Sequence, residues 1–170
     1  MEKYYTLQLC GYDYCRFIIG CSGETERYIT ENHRLLNFTD KTELLKYAEN
    51  NNIDISYEES IDFYTPDIYD FSQILKIVRI SINISKTFDI PYIGNEERFS
   101  ELYKTMESFT KNNIKQEDII FKWKPAEFKM ITELIRDSMH IIHASFTPIP
   151  VNYYLVAVSD SGYYSYTCRA

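Results

Sequence analysis

His140 and His143 stand three residues apart, with Glu133 and Asp137 just upstream, in a segment of helical spacing. A carboxylate and two imidazoles at such spacing could ligate a divalent metal. On a helical wheel His140 falls among Lys129, Glu133, Arg136 and Asp137, so a solvated face accounts for the same residues. Cationic side chains near a helix C-terminus are favoured by the macrodipole in any case. Nucleophilic catalysis would need a Cys or Ser with a base in reach, and Cys10, Cys15, Cys21 and Cys168 could meet a histidine only by tertiary chance. Cys15, Phe17, Ile19 and Cys21 alternate onto one pleat face, so these cysteines are expected as buried thiols. The five glycines fit neither GxGxxG nor GxxxxGK[ST], which leaves phosphate-loop nucleotide chemistry without support.

Carboxylates are the other chemically active group, and their distribution is uneven. Between Tyr47 and Leu75 stand Glu49, Asp54, Glu58, Glu59, Asp62, Asp67 and Asp70, with no Lys, Arg or His. The chain carries 25 acidic and 18 basic residues, so its whole formal charge of −7 lies in this stretch and the remainder balances. An acid/base pair would need a cleft that separates two pKa values, which spacing cannot show. If residues 53 to 64 are extended, Asp54, Glu58 and Asp62 share one face, with neighbours roughly 13 Å apart. That exceeds a Debye length of about 8 Å, so mutual repulsion is screened while an approaching cation meets a continuous negative field. Tyr57, Tyr64 and Tyr69 add side chains of the kind that anchor interfaces. Asp54, Tyr57, Glu58, Glu59, Asp62, Tyr64, Tyr69 and Asp70 are therefore the candidate partner-binding residues. No catalytic residue, metal site or cofactor is assigned.

The elements that must hold these residues can be read along the chain. Tyr4 to Cys10 and Tyr14 to Cys21 are β-prone and flank Gly11-Tyr12-Asp13, an N-terminal hairpin. Arg34 to Phe38 suggests a short strand. Thr39 to Glu43 offers capping chemistry for a helix over 41 to 50, ended by Asn50-Asn51-Asn52. From Ile53 the period becomes two, and Glu58-Glu59-Ser60 is the expected site of a bulge or turn. Thr65-Pro66-Asp67 reads as the start of a central helix, in which Ile68, Phe71, Ile74, Leu75, Val78 and Ile82 form one side and Ile77 and Ile80 another. Glu97 to Thr110 has helical spacing. Pro125 opens a helix with a stripe of Phe128, Ile131, Leu134, Ile135, Met139 and Ile142. Val151 to Val158 and Tyr163 to Cys168 form a closing hairpin around Ser159 to Gly162. Strands segregated from helices predict an α+β fold, with antiparallel hairpins at both ends and a mainly helical middle and C-terminal half.

At 170 residues, with 45% apolar and 16% aromatic content, one self-folding domain over residues 1–170 is expected. The first fifteen residues lack the apolar core of a secretory signal, and no apolar run suits a bilayer, so a cytoplasmic protein is expected. An acidic chain is repelled by phosphate backbones and anionic lipid. A basic protein is the electrostatically matched partner, and neither nucleic acid nor membrane is expected.

The runs LNFTDKTELLKYAENNNIDI, YDFSQILKIV, RFSELYKTMESF and KWKPAEFKMITELIRDSMHII, over about residues 34 to 144, resemble the immunity proteins of contact-dependent growth inhibition and related bacterial polymorphic toxin systems. Leu45, Tyr47 and Ala48, then Tyr69 and Asp70, then Trp123, Pro125 and Glu127 carry the resemblance. It implies a non-enzymatic inhibitor that binds the toxic C-terminal domain of a delivered effector and blocks its active site or substrate surface. Many such toxins are nucleases with basic clefts, which an acidic inhibitor would match. Two alternatives stand beside it: a small metal-binding protein or enzyme using His140 and His143, and an adaptor domain with no catalysis.

Overall fold

A computed structural model describes residues 2–11, 15–62, 66–68, 70–112, 114 and 123–146, with the backbone alone for 153–158 and 164–168. Strands β1 (Lys3–Cys10) and β2 (Cys15–Ser22) form the expected N-terminal hairpin, paired from Lys3 with Ser22 to Cys10 with Cys15. The alternation of apolar residues places Tyr5, Leu7, Leu9 and Ile18 on one face and Phe17 and Ile19 on the other. Gly20 lies opposite Tyr5, and its missing side chain is what admits the Tyr5 ring, since a Cβ there would fall within it.

Four two-residue strands follow: β3 (Arg27–Tyr28), β4 (Thr30–Glu31), β5 (Arg34–Leu35) and β6 (Asn37–Phe38). β4 and β5 pair as a minute hairpin whose turn residues, Asn32 and His33, both have positive φ, 51° and 59°. Two such residues in succession suit the right-handed twist of a two-residue hairpin. β3 and β6 both line the outer side of β2. The short strand expected over 34 to 38 is thus two strands, divided at Leu36.

Helix α1 (Lys41–Asn50) begins where the capping residues indicate, with the Asp40 carboxylate accepting from the Thr42 N–H. It ends at Asn51 and Asn52, the latter at φ 54°. Leu44 and Ala48 bury against Ile19 on one face of the sheet, with Tyr47 beside Phe38 at 5.5 Å. The crossover through α1 brings β7 (Ile55–Asp62) back parallel to β1, from Tyr4 with Ile55 to Cys10 with Asp62. The main sheet therefore runs β3-β2-β1-β7, with β6 also on β2.

Helices α2 (Phe71–Phe88), α3 (Ser100–Lys111) and α4 (Pro125–Phe146) cover the other face. α2 is central, touching α3, α4, β3 and β7, and both of its apolar sides are buried, Ile74 and Val78 on one, Ile77 and Ile80 on the other. α4 opens at Pro125, where Glu127 turns back to accept the Lys124 N–H at 2.7 Å. Trp123, just before it, is buried against Phe71, Phe128 and Phe109, with ring centroids 4.6 to 5.9 Å apart. The residues Trp123, Pro125 and Glu127 are thus structural, whereas Leu45 in α1 is exposed. The closing strands β8 (Tyr153–Val158) and β9 (Tyr164–Cys168) pair with each other antiparallel. The chain is α+β as its segment order indicates, although β1 with β7 makes the main sheet mixed rather than purely antiparallel.

Three expectations are corrected. Cys10 and Cys15 are joined as a disulfide across the hairpin register, because strand pairing sets them directly opposite; Cys21 is a buried thiol. The irregularity in β7 lies between Ile55 and Tyr57, where two residues oppose one step of β1, and the strand runs unbroken through Glu58-Glu59-Ser60. The central helix starts at Phe71 rather than at Pro66. Asp67 and Asp70 close a turn, with the Asp70 N–H donating to the Asp67 carbonyl at 2.9 Å, and Asp70 is the N-cap.

Candidate functional site

The residues singled out in the acidic stretch gather mainly along β7. Its pairing with β1 sets Glu58 beside Thr6, Ser60 beside Gln8 and Asp62 beside Cys10, on the face that α1 partly covers. Tyr57, Glu59 and Ile61 pair with Tyr5, Leu7 and Leu9 and face the helical layer. Ile61 alone of the eight is fully buried; Ser56, Tyr57, Glu58, Ser60 and Asp62 are exposed. Asp54 precedes the strand, and the bulge at 55 to 57 resets the alternation, so it does not join Glu58 and Asp62 on a common face.

Each carboxylate has a distinct setting. Glu58 is ion-paired with Lys41 of α1 at 2.6 Å, yet its side chain stays 58% exposed and open to a second cation. Glu59 is half-buried, 3.7 Å from an Arg79 nitrogen, and the same guanidinium lies 3.1 Å from Glu26. One cation thus serves two carboxylates, leaving the group net negative. Glu26 also accepts from the Tyr5 hydroxyl and from Asn83 at 3.0 Å. Among the described residues the Tyr28 hydroxyl, buried beside this cluster, meets no hydrogen-bond geometry, and burial raises its ionisation above the ordinary tyrosine range. Tyr57 lies stacked on Tyr5, the ring planes nearly parallel, with centroids 4.9 Å apart, and is 38% exposed. At the far end of β7 the Asp62 carbonyl accepts from the Gln73 side chain at 2.7 Å.

Asp70 has a structural task of its own: its carboxylate accepts from the Gln73 N–H at 3.0 Å and caps α2. Tyr64 and Tyr69 lie outside the described residues. The site therefore consists of Tyr57, Glu58, Glu59 and Asp62, completed by Lys41, Arg79 and Glu26. Those three escape sequence reasoning because they come from α1, α2 and the segment before β3. No local spacing announces such pairs. Against the face of Glu58 and Ser60 lies a shallow depression of about 270 Å³ bounded also by Thr6, Gln8 and Lys41.

Among the described residues no three His, Cys, Asp or Glu side chains gather as a metal-ligand set. On α4 the solvated face expected around His140 is interrupted by Asp137, which is buried and accepts from the Ile93 N–H at 3.0 Å. Burial raises its carboxyl above the usual range, and that hydrogen bond opposes the shift in part. Among the described residues no helix is long and apolar enough to cross a membrane. The chain matches no family model, no curated protein and no solved structure.

Proposed function

We propose that the protein is a cytoplasmic, non-enzymatic immunity protein that binds the basic toxic domain of a delivered effector, a nuclease being the best-matched kind, and occludes its active site or substrate surface. The observation carrying this is β7: an exposed strand with Glu58, Glu59 and Asp62 and no basic residue of its own, in the stretch that holds the molecule's entire net charge. Opposite charge across an interface accelerates encounter and rejects acidic or phosphate-rich competitors. Tyr57, large and half-exposed, supplies the kind of anchor that carries binding energy once desolvated. The segment order supports the same reading, since it resembles that of immunity proteins and brings no catalytic constellation with it.

Co-expression tests this directly. If the reading frame beside its gene encodes an exported protein with a basic C-terminal domain, producing that domain alone should arrest growth, and adding this chain should restore it. Undiminished arrest, with this chain soluble and abundant, overturns the proposal.

A further inference from the structure

Among the described residues, strand β7 is hydrogen-bonded to β1 along one side and no strand runs along its other side. Backbone groups alternate in direction along a strand, so about half of the N–H and C=O groups of β7 face outward. We propose that this border accepts a strand: an extended segment of the partner protein, with Lys or Arg at alternate positions, adds beside β7 as the next strand of the sheet. The inference rests on the toxin-binding reading and specifies how the two chains join.

The limits of the acceptor are marked. The bulge between Ile55 and Tyr57 bends its beginning, and at its end the Asp62 carbonyl is already taken by Gln73. Regular pairing is therefore available over Tyr57 to Ile61. An added strand would meet Glu58, Ser60 and Asp62 on one face and Tyr57, Glu59 and Ile61 on the other. Glu58 and Asp62 stand roughly 13 Å apart along the strand, so basic residues at alternate positions of the incoming segment reach both. The outer side of the Tyr57 ring, whose inner side rests on Tyr5, offers a further surface to a cation.

The same residues decide against other occupants. A second copy of the chain would align β7 with itself antiparallel, and side chains directly opposite must share a face. Centring that pair on residue 58 sets Glu58 against Glu58, on residue 59 Glu59 against Glu59, and on residue 60 Glu58 against Asp62. Like charges directly opposite are destabilising. Nucleic acid is repelled by the same carboxylates. A basic strand turns each of these contacts favourable, with backbone bonds giving affinity and alternate side chains giving selectivity.

The test uses the full chain and two synthetic eight-residue peptides of equal charge, one alternating Lys with Thr and one Lys/Pro peptide with its residues in adjacent pairs (KKPPKKPP), so that prolines remove N–H donors from both of its edges. Hydrogen exchange of individual amides is followed by NMR at low salt. The Lys/Thr peptide should slow exchange of alternate amides between Tyr57 and Ile61 at least tenfold, and the Lys/Pro peptide should not. Glu58→Ser with Asp62→Asn, both exposed, should weaken the Lys/Thr peptide by about tenfold at an unchanged urea midpoint. Equal effects of the two peptides, no slowing at millimolar peptide, or a dimer whose protected amides lie in β7 would each overturn strand addition. Growth rescue separates the two ideas: rescue without amide slowing removes only the strand acceptor, and slowing without rescue removes only the toxin.

Discussion

The two long borders of the main sheet are built in opposite ways. On the outer side of β2, β3 covers Gly20 and Cys21, β6 covers Phe17 and Ile18, and the Ile29 N–H donates to the Ile19 carbonyl at 3.0 Å between them. Very short strands, followed by a chain that turns away, are a common device for closing an edge. Within this covering segment Tyr28 of β3, and Leu35 of β5 between β3 and β6, are buried. The β7 border has one buried residue, no covering strand among the described residues, and carboxylates at Glu58, Glu59 and Asp62. One border is closed by backbone; the other is guarded by charge. Charge is the more selective device in principle, because like charges directly opposite are destabilising and opposite ones attract.

This contrast can be broken by stability measurements. Leu35→Ala, in the segment that links the two strands of the closed border, should cost about 2–5 kcal/mol in urea denaturation, since it empties a fully enclosed site. Tyr57→Ala at the open border should cost about 1 kcal/mol, mainly its stacking on Tyr5. Equal losses would mean that β7 is no less embedded than the closed side. Gly20→Val, on the strand that the closed border protects, drives a side chain into the Tyr5 ring and should lose about 1–3 kcal/mol.

Smaller effects sharpen the division within the acidic stretch itself. Asp70→Ala should lower stability by about 1 kcal/mol through the α2 cap while leaving association with a basic partner unchanged. A marked fall in association rate would return Asp70 to the interface. Lys41→Ala removes only an exposed ion pair, for a stability change under about 1 kcal/mol. It uncovers Glu58, so stopped-flow association with a basic partner should quicken at low salt, and the gain should vanish at high salt.

Local chemistry made much of this architecture legible in advance. Asp40 and the Asn50-Asn51-Asn52 run bound α1 because caps act within a few residues, and Pro125 with Glu127 starts α4 for the same reason. The acidic strand was found by its period of two. Before α2 the sequence points to Thr65-Pro66-Asp67 as the helix start, whereas the fold uses Asp70 as the cap, its carboxylate reaching the Gln73 N–H. The break in apolar alternation at Glu58-Glu59-Ser60 points to a bulge or turn there. Pairing with β1 instead places it where β7 must come into step with Tyr4 and Tyr5. The Cys10–Cys15 bond depends on hairpin register, and Arg79 reaches Glu59 and Glu26 across wide gaps in sequence. Contacts of that kind leave no trace in spacing.

The parallel pairing of β1 with β7 joins residues about fifty positions apart, so it must wait for the hairpin and the α1 crossover to form. Until then the exposed edge belongs to β1, whose sequence KYYTLQLC carries Lys3 as its only charge. Such an edge is a template for aggregation in a partly folded chain. The arrival of β7 replaces a sticky border with a charged one, so the strand proposed to capture a foreign segment also ends the most hazardous interval in the molecule's own synthesis.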